Sequence, residues 1–497
     1  MTKRLLTVLL ALVIVILLPI TASAATVTAS GACGQNLAWV LTDDGTLTIS
    51  GTGAMPNYTD SSPAPWDAYY TDITSVVIGA DVTSVGDYAF YFMTELESVI
   101  FADGSKLTSI GREAFYYCDD IYSIDIPDSV MSIGENAFYN CSSNLRVYDN
   151  GIYYVDNWAV DCYEYYNYNF VFRNDTVGIA DYAFAWYYNY DLNIKIPSSI
   201  KFIGNHAFHN CSSLYSISFD SDIQLEAIGN YAFYDCYNLG DIIIPASVTT
   251  IGEYAFYGCC YNLYNIYFAD GGNLNSIGDY AFAYCYNLTT VSIPSSVTAI
   301  GDYAFYDCDR LEAVYISENS RLETIGHYAF ADCGPITSIY IPANVISIGD
   351  YAFAYSYSLQ DLTFADNSQL THIGNNAFYN CDGIVSITLP ASVKTIGTEA
   401  FSCADRLAYV YFSDGSQLES IGSSAFAYCY ELCEITIPQS VTFIGNYAFN
   451  CCYDLEYVAF SNIYGWYMDG EERDVTDVSN NAYLLVYNSY YSWTCNK

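Results

Sequence analysis

The chain has 497 residues, 53% of them hydrophobic and 14% charged, and its 55 acidic against 14 basic residues give a formal net charge of −41. That balance excludes nucleic acid and anionic membrane as partners, because both need Lys and Arg to neutralise phosphate. It favours solubility, cations and basic partners.

Residues 1–24 have the layout of a secretory signal peptide. Lys3-Arg4 form the charged region, residues 5–20 the apolar run, and Ala22-Ser23-Ala24 the cleavage site. The run is short for a membrane span, which needs about 20 residues, and no cysteine stands at the cleavage site to take a lipid. The expectation is an exported protein, secreted or held at the cell surface, with no membrane span.

Residues 25–75 do not repeat. Leu37-Ala38-Trp39-Val40-Leu41 and Thr46-Leu47-Thr48-Ile49-Ser50 alternate in polarity around Asp43-Asp44-Gly45, which predicts a β-hairpin. Gly51-Thr52-Gly53 and the Pro63/Pro65 region before Trp66 then break regular structure. A repeat array needs its first coil covered, so the segment is expected to be a β-rich N-terminal cap.

From there to about residue 460 one pattern dominates. Ile/Val-Gly/Ala-x-x-Ala-Phe occurs fifteen times, its phenylalanine running from Phe90 to Phe449, with spacings from Phe282 onward that alternate between 23 and 25 residues. A fixed period in this range predicts a repeat solenoid of the leucine-rich-repeat type, about fifteen coils over residues 76–460. In one coil, Leu288-Thr289-Thr290-Val291-Ser292-Ile293-Pro294 reads as a strand with Val291 and Ile293 inward and Thr290 and Ser292 outward. Pro294 ends it, having no N–H to donate. Val297 and Ile300 are expected to be buried in the crossing that follows, Gly301 to allow a tight turn, and Ala304-Phe305 to fill the interior. The 25-residue coils carry two extra residues in polar loops such as Ala102-Asp103-Gly104-Ser105 and Ser413-Asp414-Gly415-Ser416. These lack the spacing of a calcium loop and read as surface turns.

Eleven of the 18 cysteines lie three residues after the repeat phenylalanine, Cys285, Cys308 and Cys333 among them. Stacked coils would hold such side chains parallel and about 4.8 Å apart, a poor geometry for the converging Cβ atoms of a disulfide. A ladder of buried free thiols is expected. The off-ladder Cys33, Cys162, Cys260, Cys403, Cys433, Cys451 and Cys495 remain candidates for bonding. Neither paired C-x-x-C spacing nor clustered histidine supports a metal site, and no cofactor is implied.

The rhythm breaks once, between Phe138 and Phe184, over an irregular coil at 139–178. Asn150-Gly151 predicts a hairpin there, and the tyrosine-rich run 163–170 follows it, a place for a projecting bulge with ligand contacts. Residues 461–497 leave the pattern and are expected to cap the C-terminal end.

The repeats resemble the BspA-like, treponemal-type leucine-rich repeats. Their unit, L-x-x-I-x-I-P-x-x-V-x-x-I-G-x-x-A-F-x-x-C, is met position by position from Leu239 through Pro245, Ile251-Gly252 and Ala255-Phe256 to Cys259. Ala180 replaces the glycine once, and Met93, Tyr187 and Ser356 replace the cysteine. The resemblance implies a solenoid at or beyond the cell surface that adheres to extracellular proteins or other cells, and it implies no enzyme activity.

Solenoids usually bind on the inner strand face. Its outward positions hold Tyr267, Tyr315, Tyr340 and Tyr411, and the neighbouring column adds Tyr409 and Tyr457, interleaved with Ser and Thr. Rigid amphipathic rings beside small hydrogen-bonding residues suit a binding surface for extracellular protein or polysaccharide, although Tyr and Thr are also good strand formers. A second tyrosine column, including Tyr254, Tyr280, Tyr303, Tyr328 and Tyr351, precedes each Ala-Phe and is expected to stack structurally. The four histidines lie at scattered repeat positions without a paired nucleophile, so the chain reads as a non-enzyme. The alternative is a self-associating structural component of the cell surface, and oligomers are possible.

Overall fold

The computed structural model describes residues 25–162, 170–188, 192–487 and 489–496. The expected signal peptide and residues 163–169 of the tyrosine-rich run lie outside them. The chain divides into two compact units, Met1–His209 with Phe219–Leu225 and Asn210–Ser218 with Glu226–Lys497. Both are β-solenoids, of about 16 turns in all.

In the first unit the predicted hairpin is present, and one strand more. Val27–Ala32, Leu37–Thr42 and Thr46–Gly51 pair antiparallel, after which Thr46–Gly51 pairs in parallel with Ser75–Ile78. One strand thus converts a hairpin into the start of a parallel stack. Trp66 heads the interior column: its ring stacks 5.5 Å from Phe90 and its Nε1 donates to the Ala89 carbonyl at 2.8 Å. Phe90, Phe115 and Phe138 continue the column at 5.1 and 5.3 Å.

The irregular coil is a meander. Val147–Asp149, Ile152–Val155 and Trp158–Cys162 pair antiparallel around the predicted turn, where Asn150 and Gly151 take φ of 48° and 88°. Trp158–Cys162 then pairs in parallel with Gly178–Ile179, which restores the stack. Ala180, which stands where the other coils have glycine, adjoins the meander. A Cβ on Gly204 would lie 2.8 Å from the carbonyl carbon of Ala180, in the turn below it. Ala180 itself follows the meander: its N–H reaches the Ala159 carbonyl and that of Asp181 the Ile133 carbonyl, at 2.8 Å each.

Each regular coil of the second unit has three hydrogen-bonded sides. The first is the expected strand, as in Thr290–Ile293, whose four residues are half-buried, buried, exposed and buried in turn. The second is a further strand within the crossing segment, two residues long as in Ala299–Ile300, and these pair in parallel from coil to coil. Ile300 is inward as expected, but the ladder leaves no mark in the sequence, because a two-residue strand shows no alternation. The third side is the Ala-Phe turn. Here the N–H groups of Tyr280, Phe282 and Tyr284 donate to the carbonyls of Asp302, Ala304 and Tyr306 in the next coil, at 2.8 Å each.

The repeat glycine serves stacking and not the turn. A Cβ on Gly301 would lie 2.7 Å from Asp279 N and from the carbonyl carbon of Gly278, so successive turns approach too closely for any side chain. Left-handed backbone falls elsewhere in the coil, on Tyr303 (φ 57°) and Asp307 (φ 55°). The second tyrosine column occupies this strained position. Tyr254, Tyr280, Tyr303, Tyr328 and Tyr351 stack near-parallel with centroids 4.5 Å apart.

Asp, Asn and His just after the glycine form another ladder. Asp279 Oδ1 accepts the N–H of Asp302, Asp302 Oδ1 that of His327, and His327 Nδ1 that of Asp350, at 2.7, 2.7 and 2.9 Å. Inside, Phe282, Phe305 and Phe330 stack at 5.3 and 5.1 Å, each fully buried and worth about 1.5–3 kcal/mol. The cysteine ladder is present as free buried thiols. Cys285, Cys308 and Cys333 donate Sγ–H to the carbonyls of Phe256, Phe282 and Phe305 one coil before, at 3.2–3.3 Å. Ala404, also buried, is a further replacement in this column.

After Tyr457–Phe460 the chain forms a hairpin of Trp466–Met468 and Glu471–Arg473, the helix Val478–Tyr487, and the strand Trp493–Cys495. That last strand lies antiparallel on Phe443–Ile444, the final two-residue strand, so the open edge acquires a partner. Buried Asn481 donates to the carbonyls of Val458 and Val475, and Trp466 and Trp493 pack around Phe460. Among the described residues no helix is long and apolar enough to cross a membrane.

Candidate ligand-binding face

All six candidate tyrosines lie in the second unit on the longer strands. Alternation turns their rings away from the core: Tyr267, Tyr315, Tyr411, Tyr457 and Tyr409 are 52, 60, 49, 45 and 38% exposed. Tyr340 is half-buried. Burial pushes its hydroxyl pKa up first, and then Glu318 and Asp366 do so from the loops of the coils before and after it.

Register brings the tyrosines together in two rows. In one, Ser292 pairs with Tyr315, and the strand Asn265–Phe268 on the other side carries Tyr267 at the matching position, giving Tyr267–Ser292–Tyr315. In the other, Tyr409 pairs with Glu434 and Glu434 with Tyr457. Each row therefore holds two exposed rings separated by a smaller polar residue. Tyr409 and Tyr411 stack on one strand at 6.0 Å.

The 23/25 alternation shapes the flank of this face. In the longer coils the strand ends in Phe or Ile and runs into a polar loop, as at Asp366 and Asp414; in the shorter ones it ends at proline, as at Pro390 and Pro438. Two recesses result, of about 610 and 560 Å³. One lies over Pro390 between Asp366 and Asp414, and the other lies over Pro438 between Ser413-Asp414 and Ser461. Thr388, Tyr411, Glu434 and Thr436 line them from the strand side. In the sequence these loops read as plain surface turns. The signal for the recesses was the alternation itself.

The sequence matches the BspA type leucine rich repeat region, described in six copies, over residues 68–163, 161–282, 275–402 and 348–465. The chain belongs to the BspA-type leucine-rich-repeat family. Such proteins are repeat proteins and typically non-enzymatic. A leucine-rich repeat protein from Bacteroides ovatus is 23% identical over 86% of this chain and 99% of its own, with a TM-score of 0.46. A leucine rich cell surface protein from Faecalibacterium prausnitzii is 23% identical over 78% of this chain and 95% of its own, with a TM-score of 0.29. The pneumococcal vaccine antigen PcpA is 16% identical over 84% and 94%, with a TM-score of 0.33. No curated protein matches the chain.

Other features of this BspA-type chain are engaged internally. On the irregular coil, Arg146 bonds Asp161 at 2.7 Å and lies 4.5 Å over the Tyr153 ring, so this cation braces the meander. His206 and His209 meet each other at 3.4 Å between their Nδ1 atoms, and Tyr182 stacks on His206 at 4.3 Å. Among the described residues no group of three or more His, Cys, Asp or Glu is placed to hold a metal ion.

Proposed function

We propose that this BspA-type protein is an exported, non-catalytic binding protein that recognises an extracellular protein or polysaccharide through the face carrying Tyr267, Tyr315, Tyr409, Tyr411 and Tyr457, with Tyr340 as a half-buried member. The observation that carries the reading is the pair of rows, Tyr267–Ser292–Tyr315 and Tyr409–Glu434–Tyr457. Exposed aromatic rings cost free energy in water, and here they stand beside hydrogen-bonding residues and open recesses, the composition of recognition surfaces. Export follows from the signal-like residues 1–24.

The test is binding of residues 25–497 to an array of extracellular-matrix proteins and polysaccharides, beside a variant with Tyr267, Tyr315, Tyr340 and Tyr411 changed to Ala. A hit lost in the variant supports this face. A hit that survives moves the site elsewhere, and no hit with concentration-dependent oligomers favours self-association.

A further inference from the structure

The exposed candidate tyrosines Tyr267, Tyr315, Tyr409, Tyr411 and Tyr457 stand on strands that are not followed by proline, and the neighbouring proline-ended strands carry Ser292, Thr388, Glu434 and Thr436; between the two groups the order reverses, with half-buried Tyr340 on the proline-ended strand Ser338–Ile341 and Thr363 on Asp361–Phe364. The spacing within each tyrosine pair, Tyr267 with Tyr315 and Tyr409 with Tyr457, is therefore two coils and not one. At about 4.7–4.9 Å per paired strand it spans ~9.6 Å. The polar loops follow the same period, each long coil bringing one exposed acidic residue, Asp270, Glu318, Asp366 and Asp414, to the flank.

We infer that the face takes a basic, proline-rich segment in the polyproline II conformation, one turn of the ligand to two coils of the protein. This rests on the binding reading above. A polyproline II helix has three residues per turn and rises about 3.1 Å per residue, or ~9.3 Å per turn. It presents a side chain on the same side at every third residue, so successive turns fall level with Tyr267 and Tyr315, or with Tyr409 and Tyr457, and with successive acidic loops, and the misfit stays near ~1 Å over three turns. An extended β-strand ligand repeats on one side every ~6.7 Å and drops out of step at once. Aromatic-lined grooves suit polyproline II because the ligand is already ordered before it binds. The acidic loops then select Lys or Arg at the position facing the flank. Within residues 226–496 the only basic residues are Arg310, Arg321, Lys394, Arg406 and Arg473, and of these Arg321 alone lies in such a loop.

The test measures binding of residues 25–497 to three peptides with equal numbers of lysines: a Pro-Pro-Lys repeat, a Pro-Pro-Pro-Lys repeat of the wrong spacing, and a flexible Gly-Ser-Lys repeat. The Pro-Pro-Lys repeat is expected to bind roughly tenfold tighter than either control, and Tyr315→Ala with Tyr411→Ala to remove most of that advantage. Both rings are exposed, so unchanged circular dichroism certifies the variant's fold, and Asp414→Asn checks the flank independently. Equal binding of all three peptides means charge alone and overturns the inference. Peptides that fail while the array returns a protein or polysaccharide lost in the four-tyrosine variant overturn the polyproline assignment and leave the binding reading standing. Failure of peptides and array together removes both.

Discussion

Cys308 Sγ donates to the carbonyl oxygen of Phe282 in the preceding coil, 3.3 Å away. The same bond recurs from Cys118 to Phe90, from Cys381 to Phe353, and from Cys452 to Phe426. The thiol column therefore acts as a set of weak donors inside the core, and burial pushes the Cys285, Cys308, Cys381 and Cys429 thiols well up. Thiolate is the reactive form, so these groups should be inert in the folded chain. A thiol-alkylating reagent at neutral pH should modify exposed Cys433 first and leave the ladder untouched until denaturant is added. Peptide mass spectrometry reads this directly. Early labelling of Cys308 would refute the buried ladder.

Gly349 is predicted to be intolerant of any side chain. An added Cβ would lie 2.6 Å from His327 N and from the carbonyl carbon of Gly326, both backbone atoms that cannot move without the stack. Gly349→Ala should destabilise by about 2–4 kcal/mol. The loss should be local, with faster amide exchange in the adjoining coils and little change several coils away. Gly415→Ala is the control: its surroundings are open and its φ is +76°, so only the left-handed cost of about 1–2 kcal/mol applies. Equal losses at both positions would show that close stacking is not what selects the repeat glycine.

Tyr303 balances two effects of opposite sign. Its φ of 57° costs a non-glycine residue about 1–2 kcal/mol, whereas stacking on Tyr280 and Tyr328 returns about 0.5–1.5 kcal/mol per ring pair. Asparagine tolerates this backbone, and Asn136 and Asn376 hold the equivalent positions with φ of 55° and 56°. Tyr303→Asn should therefore stay within about 1 kcal/mol of the parent. Tyr303→Val loses the stack and forces a β-branched residue into left-handed backbone, for about 2–3 kcal/mol. Urea midpoints decide it, and indistinguishable variants would rule out the backbone as the selecting factor.

The fold was legible where one residue type reports one constraint. Phe305 and Cys308 recur because the interior has one shape, and Val291 and Ile293 alternate because a strand has two faces. The signal weakened where a constraint acts between coils. Nothing local in Gly301 distinguishes a turn glycine from one pressed against Gly278, and Thr324-Ile325 is too short for its pairing to show as periodicity. The Asp279–Asp302–His327 ladder escaped notice because the aspartates read as surface charge. Tyr267 and Tyr315 were visible as candidates, but their two-coil spacing gains meaning only beside the loops at Asp270 and Glu318.

Acid titration should separate two partly buried groups in the first unit. Burial is the main cause that pushes the Asp181 carboxyl up to about 6, despite bonds from Asn205 N at 2.7 Å and Asn205 Nδ2 at 3.2 Å. Between about 6 and the ordinary 3.8 the folded state holds a proton that the unfolded state releases, so this group's contribution to stability grows as pH falls through that window and is lost as pH rises through 6. His206 has the opposite sign. Burial first, and then His209, push it down to about 4. Between 6.5 and about 4 the unfolded state binds the extra proton, so stability present above 6.5 is lost as pH falls. Asp181→Asn keeps an acceptor for the Asn205 N–H and removes the buried charge, which should raise stability by about 1–3 kcal/mol at pH 7.5 and by almost nothing near pH 4. His206→Asn suits the left-handed backbone there, φ 54°. It should flatten the acid-side loss by about 1 kcal/mol or less, because the ring is about half exposed and solvent screens it. Urea denaturation of both variants and the parent from pH 4 to 8 provides the comparison. A parent and an Asp181→Asn variant with parallel pH profiles would show that Asp181 titrates normally, and the burial argument for it would fall.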